Sequence, residues 1–202
     1  MIEKVKQYLA EQGYADRLLE FAEPGASATV ELAAQAVGCQ PAHIAKSLGF
    51  CVPENSQLSE QGFRCLLVVA AGDAKVDNSR FKQQFGFKAK MLPAEQAEPL
   101  IGHAVGGVCP FALNPGVAVY LDDSLKRFAT VYPAAGSSNS AVRLSLPELE
   151  KLSQSLSWVN VCKAWREDEQ LATPKACWLI CFTPFWPVWP SRWAEPSFWL
   201  WI

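Results

Sequence analysis

The 202-residue chain has few histidines and almost no charge imbalance. Its two histidines, His43 and His103, have no cysteine at ligand spacing, so neither a zinc site nor any other metal is expected. Seven cysteines, at 39, 51, 65, 109, 162, 177 and 181, include no Cys-x-x-Cys pair. An odd set with no paired spacing reads as reduced thiols in a cytoplasmic protein. The opening MIEKVKQYLAEQGY is charged and amphipathic and lacks the apolar stretch of a signal peptide. No P-loop, dinucleotide fingerprint, HExxH or GxSxG occurs, so no motif calls for a cofactor. The net charge of −2 and pI of about 5.7 give no global field to gather nucleic acid. A polyanion partner would have to be held by a local site, and DNA is not expected.

What the chain does have is an ordinary globular composition, with 50% hydrophobic and 19% charged residues. Its length suffices for one medium domain, with a core that needs no staples. Ile2, Val5, Leu9 and Ala10 are spaced for a helix over residues 1–12. Thr29 is placed to cap a helix over Val30–Val37 that stops at Gly38, and Pro41 can open a further short turn. From Ala45 the period becomes two, with Leu48, Phe50 and Val52 on one strand face and Lys46 on the same face. A lysine there either starts the strand and snorkels to water or lines a cleft as a cation.

Cys65–Ala71 is a near-continuous apolar run, which fits a strand covered on both faces. Asp77 and Asn78 can cap a helix through Phe85, followed by a short strand over Lys88–Leu92 and a helix over Pro93–Ile101. Val117–Leu121, Ala129–Tyr132 and Ala141–Leu144 are strand candidates. Ser145 and Glu148 form a capping box for a helix reaching about Leu156, and Trp158–Lys163 alternates as a closing strand. Helices early and strands clustered later predict a mixed α/β domain around one sheet.

Three local features could carry chemistry. AVGGVCPFALNPG (104–116) sets Cys109 in a glycine-rich turn. A thiol nucleophile needs a base within reach, and His103 lies six residues before it; the plainer reading is a small buried apolar residue. The loop's backbone could instead form a nest for a carbonyl oxygen, phosphate or oxyanion. Gly136, Ser137, Ser138 and Asn139 offer a second small polar loop between strands. Lys75, Arg80, Lys82, Lys88 and Lys90 interleave with Phe81, Phe85 and Phe87, which fits a local RNA patch or a solvated helix face. Asp122-Asp123 reads as a turn.

Three segments in order, SATVELAAQAVGCQPAHIAKSLGF (27–50), VGGVCPFAL (105–113) and VYPAAGSSNSAVRLSLPEL (131–149), resemble the YbaK/EbsC family. These are stand-alone relatives of the editing domain inserted in bacterial prolyl-tRNA synthetases, and the resemblance covers about residues 1–166. It implies a mixed α/β fold with one central mixed sheet or barrel, surrounding helices and a sheet-lined cleft. It also implies hydrolysis of the ester in mischarged aminoacyl-tRNA, acting in trans. The partners implied are the 3′ end of that tRNA and an aminoacyl-tRNA synthetase, with no membrane and no cofactor.

By the same resemblance Lys46, Gly106, Gly107 and Pro110 are assigned catalytic roles. Thr29, Ser47, Val108, Cys109, Phe111, Gly136, Ser137, Ser138 and Asn139 are assigned to substrate binding. The misloaded residue is expected to be small, alanine first and serine, cysteine or threonine after it, on tRNA-Pro or a related tRNA. Relatives with histidine in the late loop differ from this chain, which has Ser137-Ser138 there. A non-catalytic tRNA- or synthetase-binding module of the same fold is the alternative.

Residues 167–202 depart in character, with six of the eight tryptophans and five of the fourteen prolines. The longest uncharged run there, Ala176–Ser191, contains three prolines and is short of the ~20 apolar residues that a span needs. This segment reads as an extension of foreign composition, such as a shifted reading frame gives, that adds nothing to function.

Overall fold

The computed structural model describes residues 2–165. The tail expectation and Cys177 and Cys181 lie outside the described residues. Among the described residues, six α-helices and ten strands follow the chain. The helices are α1 (Ile2–Glu11), α2 (Val30–Val37), α3 (Gln57–Glu60), α4 (Asn78–Phe85), α5 (Ala94–Ile101) and α6 (Leu146–Ser153). The strands are β1 (Leu18–Glu20), β2 (Ile44–Cys51), β3 (Cys65–Ala71), β4 (Lys75–Val76), β5 (Val117–Asp122), β6 (Thr130–Pro133), β7 (Ser140–Val142), β8 (Leu144–Ser145), β9 (Ser157–Val159) and β10 (Cys162–Lys163).

The main sheet has six strands in the order β8-β6-β2-β3-β5-β9, curled into a half-barrel, and is mixed. β2 runs antiparallel to β3, while β3 and β5, β5 and β9, and β2 and β6 pair in parallel. Two ribbons, β1-β7 and β10-β4, complete the fold. Every residue of β3 is buried, which explains its unbroken apolar sequence. The core formed around it takes in Val5 and Leu9 from α1, Phe81 from α4, Ile101 from α5 and Leu149 and Leu152 from α6.

Local chemistry accounts for most helix boundaries. Thr29 Oγ1 accepts from the Leu32 N–H at the start of α2, and the Asp77 carboxylate accepts from the Ser79 and Arg80 N–H groups at the start of α4. Ser145 and Glu148 form the expected capping box, and the Glu148 carboxyl is held below its ordinary range by the Ser145 N–H and hydroxyl.

Four expected elements differ. Ala141–Leu144 is not one strand: Arg143 donates its N–H to the Arg17 carbonyl, and the chain passes from β7 to β8. Trp158–Lys163 divides because the Val161 and Cys162 N–H groups donate to the buried Asp122 carboxylate, which leaves β9 in the main sheet and β10 in a ribbon. The expected strand over Lys88–Leu92 is reduced to a Phe50–Met91 bridge on the β2 edge. α6 ends at Ser153 rather than near Leu156, with Gln154 left-handed at φ 49°.

Candidate functional site

A cleft of about 340 Å³ opens where β2, α2, α5 and the two polar loops converge. On β2 the odd positions Ala45, Ser47 and Gly49 line it, which is the face opposite Leu48 and Phe50. The helix α5 adds Ala94, Ala97 and Ile101 at helical spacing. Ser27, Thr29 and Val30 close one side, and Val105, Gly106 and Val108 another. Seven of the lining residues are alanines, and Lys46 is the one charged member. A wall of this kind favours an apolar moiety and provides few polar groups to orient it.

Five of the expected site residues therefore come together: Thr29, Lys46, Ser47, Gly106 and Val108. Ser47 Oγ is buried with no hydrogen-bond partner among the described residues. Such a hydroxyl is costly to bury alone and is ready to accept a ligand's donor or donate to its acceptor. The Gly106 and Val108 N–H groups likewise donate to nothing among the described residues. The Gly107 N–H, in contrast, closes a turn on the Ala104 carbonyl.

Neither expectation for Lys46 is complete. The residue borders the cleft, but its ammonium does not end in bulk water or point freely into the cavity. It donates to the Gly72 carbonyl at 2.9 Å and to the Ala74 carbonyl. Burial lowers its pKa, with Asp73 and Glu31 among the charges opposing that shift. An ammonium has three donors, so two are committed to the turn after β3.

The remaining expected residues stand behind the cleft wall. Cys109 and Phe111 are fully buried, and Pro110 and Gly136 are buried as well. His103 does approach the thiol, with Nε2 3.4 Å from Cys109 Sγ. That nitrogen donates to the Phe111 carbonyl at 2.7 Å, however, so it has no lone pair to take a thiol proton. Burial pushes the Cys109 thiol up to about 12, and a thiolate is the form a nucleophile needs.

The late loop is spent on its own scaffold. Ser137 Oγ donates to Asn139 Oδ1 and lies 2.6 Å from Ser140 Oγ, while Asn139 Nδ2 donates to the Phe21 carbonyl. The Ser138 carbonyl accepts from the Ser27 N–H at 2.7 Å. These bonds position the 21–28 segment, which supplies Ser27 and Ala28 to the cleft. The two loops touch directly: a Cβ on Gly107 would lie 2.7 Å from the Gly136 carbonyl carbon and the Ser137 nitrogen. Gly106, at φ 90°, faces Ser138 and Ala28.

Sequence reading did not pick out Ser27, Ala28, Tyr132, Ser140 or the α5 face as part of the site. The α5 face had a signal in the small residues Ala94 and Ala97 one turn apart. Among the described residues no three His, Cys, Asp or Glu side chains gather as metal ligands, and no helix is long and apolar enough to cross a membrane.

Comparison with known proteins agrees with this geometry. Protein YwhH of Bacillus subtilis (strain 168), itself uncharacterized, is 50% identical over 139 residues, which is 69% of this chain and 83% of that protein. The crystal structure of a candidate trans-editing enzyme for prolyl-tRNA synthetase superposes with a TM-score of 0.68 at 25% identity, over 80% of this chain and 96% of its own. That of the hypothetical protein APE2540 gives 0.66 at 27% identity, over 79% and 99%. The family model for the aminoacyl-tRNA editing domain matches residues 24–152. The half-barrel, the cleft and these matches agree, and the chain belongs to the aminoacyl-tRNA editing domain family.

Proposed function

We propose that this protein is a trans-acting deacylase that hydrolyses the ester between a small amino acid and the 3′ end of a mischarged tRNA. The observation that carries the reading is the pair of uncommitted N–H groups at Gly106 and Val108, set in an apolar cleft of about 340 Å³. An aminoacyl ester is already activated, so a covalent enzyme intermediate is not required. Water would attack the carbonyl carbon, with the neighbouring ribose hydroxyl able to relay its proton. The ester C–O bond would then break to leave the free amino acid and the ribose hydroxyl. The negative charge growing on the carbonyl oxygen during attack would meet the Gly106 and Val108 donors. Ser47 Oγ would bind a polar group of the aminoacyl moiety, and the third N–H of Lys46 would serve a phosphate or ribose oxygen.

The alanine-rich wall supports alanine as the misloaded residue. Serine, cysteine and threonine would place a hydroxyl or thiol in a cleft whose wall is mostly apolar, with the Ser47 hydroxyl as a partner within the wall. A second sieve of this kind admits the smaller amino acid and rejects the larger one. The tRNA is assigned as tRNA-Pro or a related one, by analogy with the structural neighbour. The domain is assigned residues 1–166, and a chain lacking 171–202 should keep full activity and solubility. Loss of activity on that truncation would count against the boundary.

The test is a panel of mischarged tRNAs offered to the wild type, Lys46→Ala and Cys109→Ala. Wild type and Cys109→Ala should deacylate at similar rates, while Lys46→Ala loses most of its activity. Full activity in Lys46→Ala would remove the lysine from the mechanism. An inactive Cys109→Ala that still folds would restore the thiol. Tight tRNA binding without turnover on any arm would make the protein a binding module instead.

A further inference from the structure

The basic stretch 82–90 has no part in the cleft chemistry, and the structure resolves how its two residue types divide. The phenylalanines pack on one another and on Phe50. Phe81 is fully buried, and its ring lies 4.8 Å from Phe50, 4.7 Å from Phe85 and 5.8 Å from Phe87. Phe85 and Phe87 are half-buried and line the groove beside the segment. Lys82, Lys88 and Lys90, which alternate with these rings along the chain, are exposed.

Several other cations of the described surface are held in ion pairs, whereas Lys4, Arg64, Lys75, Arg143 and Lys151, like this strip, are not. Lys6 pairs with Glu20, Lys126 with Asp123, Arg127 with Asp73 and Lys163 with Asp77. Lys82, Lys88 and Lys90 form no ion pair among the described residues. Lys88 and Lys90 lie two positions apart on nearly extended chain, about 6.6 Å along it, close to the step between neighbouring phosphates of a nucleotide strand. The Lys90 carbonyl accepts from the Cys51 N–H, and the Leu92 N–H donates to the Gly49 carbonyl, both at 2.9 Å. Met91 and Leu92 already line the cleft. The chain that carries Lys88 and Lys90 thus leads directly into the cleft wall at Met91 and Leu92.

The neighbouring surfaces give this strip a direction. Beyond Leu92 the exposed Glu95 and Glu98 of α5 would repel a phosphate, as would Glu31 on α2. On the other side of the 82–90 segment lies a groove of about 620 Å³ whose lining holds no charged residue. Gln83, Gln84, Asn55, Gln57 and Gln61 give it amide donors and acceptors.

We propose that the Lys82–Lys88–Lys90 strip is the track on which an RNA strand lies as it enters the cleft. The lysines would contact the phosphates just before the terminal nucleotide, and the amide groove would take sugar or base edges further back. This rests on the reading of the cleft as a site for charged tRNA ends, and it adds a path and a polarity of approach.

The experiment compares the wild type with a K82Q/K88Q/K90Q variant on two substrates, full-length mischarged tRNA and 3′-aminoacyl-adenosine, over a series of salt concentrations. A K4Q/K126Q/K151Q variant controls for net charge. On tRNA the strip variant should raise KM at least tenfold with kcat unchanged. The slope of log(kcat/KM) against log[salt] should shrink by about 2 to 3, close to one per phosphate contact. On aminoacyl-adenosine it should match the wild type, and the control should match it on both substrates. An unchanged KM and salt slope on tRNA would overturn the proposal, as would an equal loss on both substrates. If the wild type deacylates nothing, the reading of the cleft fails separately. Affinity for uncharged tRNA, measured by fluorescence anisotropy with the same variants and salt series, then decides the track: a weaker, less salt-sensitive strip variant supports it, and an unchanged one overturns it.

Discussion

The two small-residue loops that meet at the cleft look alike in sequence and are used in opposite ways. The loop around Gly106 keeps the Gly106 and Val108 N–H groups uncommitted among the described residues, and both residues line the cavity. The loop around Ser138 turns its hydroxyls and amide inward, onto Ser140, Asn139 and Phe21. One loop lines the cleft and the other braces the segment beside it. Polar side chains near a site are therefore poor guides to which groups meet the substrate, and unsatisfied main-chain donors are better ones.

Gly107→Ala should break this arrangement most severely. The added methyl would meet the Gly136 and Ser137 backbone at 2.7 Å, so one loop has to move. Displacing catalytic donors by an ångström costs about 100-fold in rate, and we expect a loss of that order in kcat/KM together with a lower Tm. Gly106→Ala is milder. Its Cβ would find Ser138 Cβ at an ordinary 3.5 Å, but φ 90° is strained for alanine by about 1–2 kcal/mol. A roughly tenfold loss in kcat with only a small change in Tm would show that its backbone conformation matters. If the two variants behaved identically, the contrast between steric contact and backbone freedom would be wrong.

Ser137→Ala tests the bracing loop. It removes the bonds to Asn139 and to Ser140 while Ser137 itself does not line the cleft, so Tm should fall by a few degrees, from about 1 kcal/mol. The rate on a saturating substrate should hardly change. The smallest effect is one of pH. His103 is fully buried, and its pKa is lowered by desolvation, against the Phe111 carbonyl, which raises it. The folded state thus takes up the proton less readily than the unfolded chain. The stability this gives is fully present above about pH 6.5 and is lost as pH falls below that value toward the lowered native pKa. Thermal melts at pH 7.5 and 5.5 should differ by less in His103→Gln, which keeps a donor for the Phe111 carbonyl, than in the wild type.

Helix positions were largely legible in the sequence because their signals are local. Thr29, Asp77 and the Ser145–Glu148 box each act within three residues of themselves. The fold class was legible too, through the family resemblance and the apolar run of β3. Strand ends were less so. Asp122 divides β9 from β10 across about forty residues, and Arg17 interrupts the 141–144 run from a still greater distance. Neither partner leaves a period in the sequence it disturbs. At the site, Lys46, Ser47, Thr29, Gly106 and Val108 were nameable in advance. What the sequence could not convey was which face of each backbone is satisfied: Gly107 and Gly106 are adjacent letters with different duties. The contact between His103 and Cys109 looked like a catalytic pair only until the Phe111 carbonyl was seen to hold the shared nitrogen.

The parallel pairing of β3 with β5 sets Leu66 beside Ala118, so some fifty residues must loop out before the centre of the sheet can close. That loop carries α4, the lysine strip, α5 and Gly106. Pairings between distant segments form slowly, and the Gly107 contact with Gly136 needs β6 in place as well. The site is therefore among the last parts of the molecule to assemble. In a refolding experiment the return of cleft function should follow the slowest phase, well after helical signal has recovered, so a chain stalled with its helices formed would still be unable to hold a substrate.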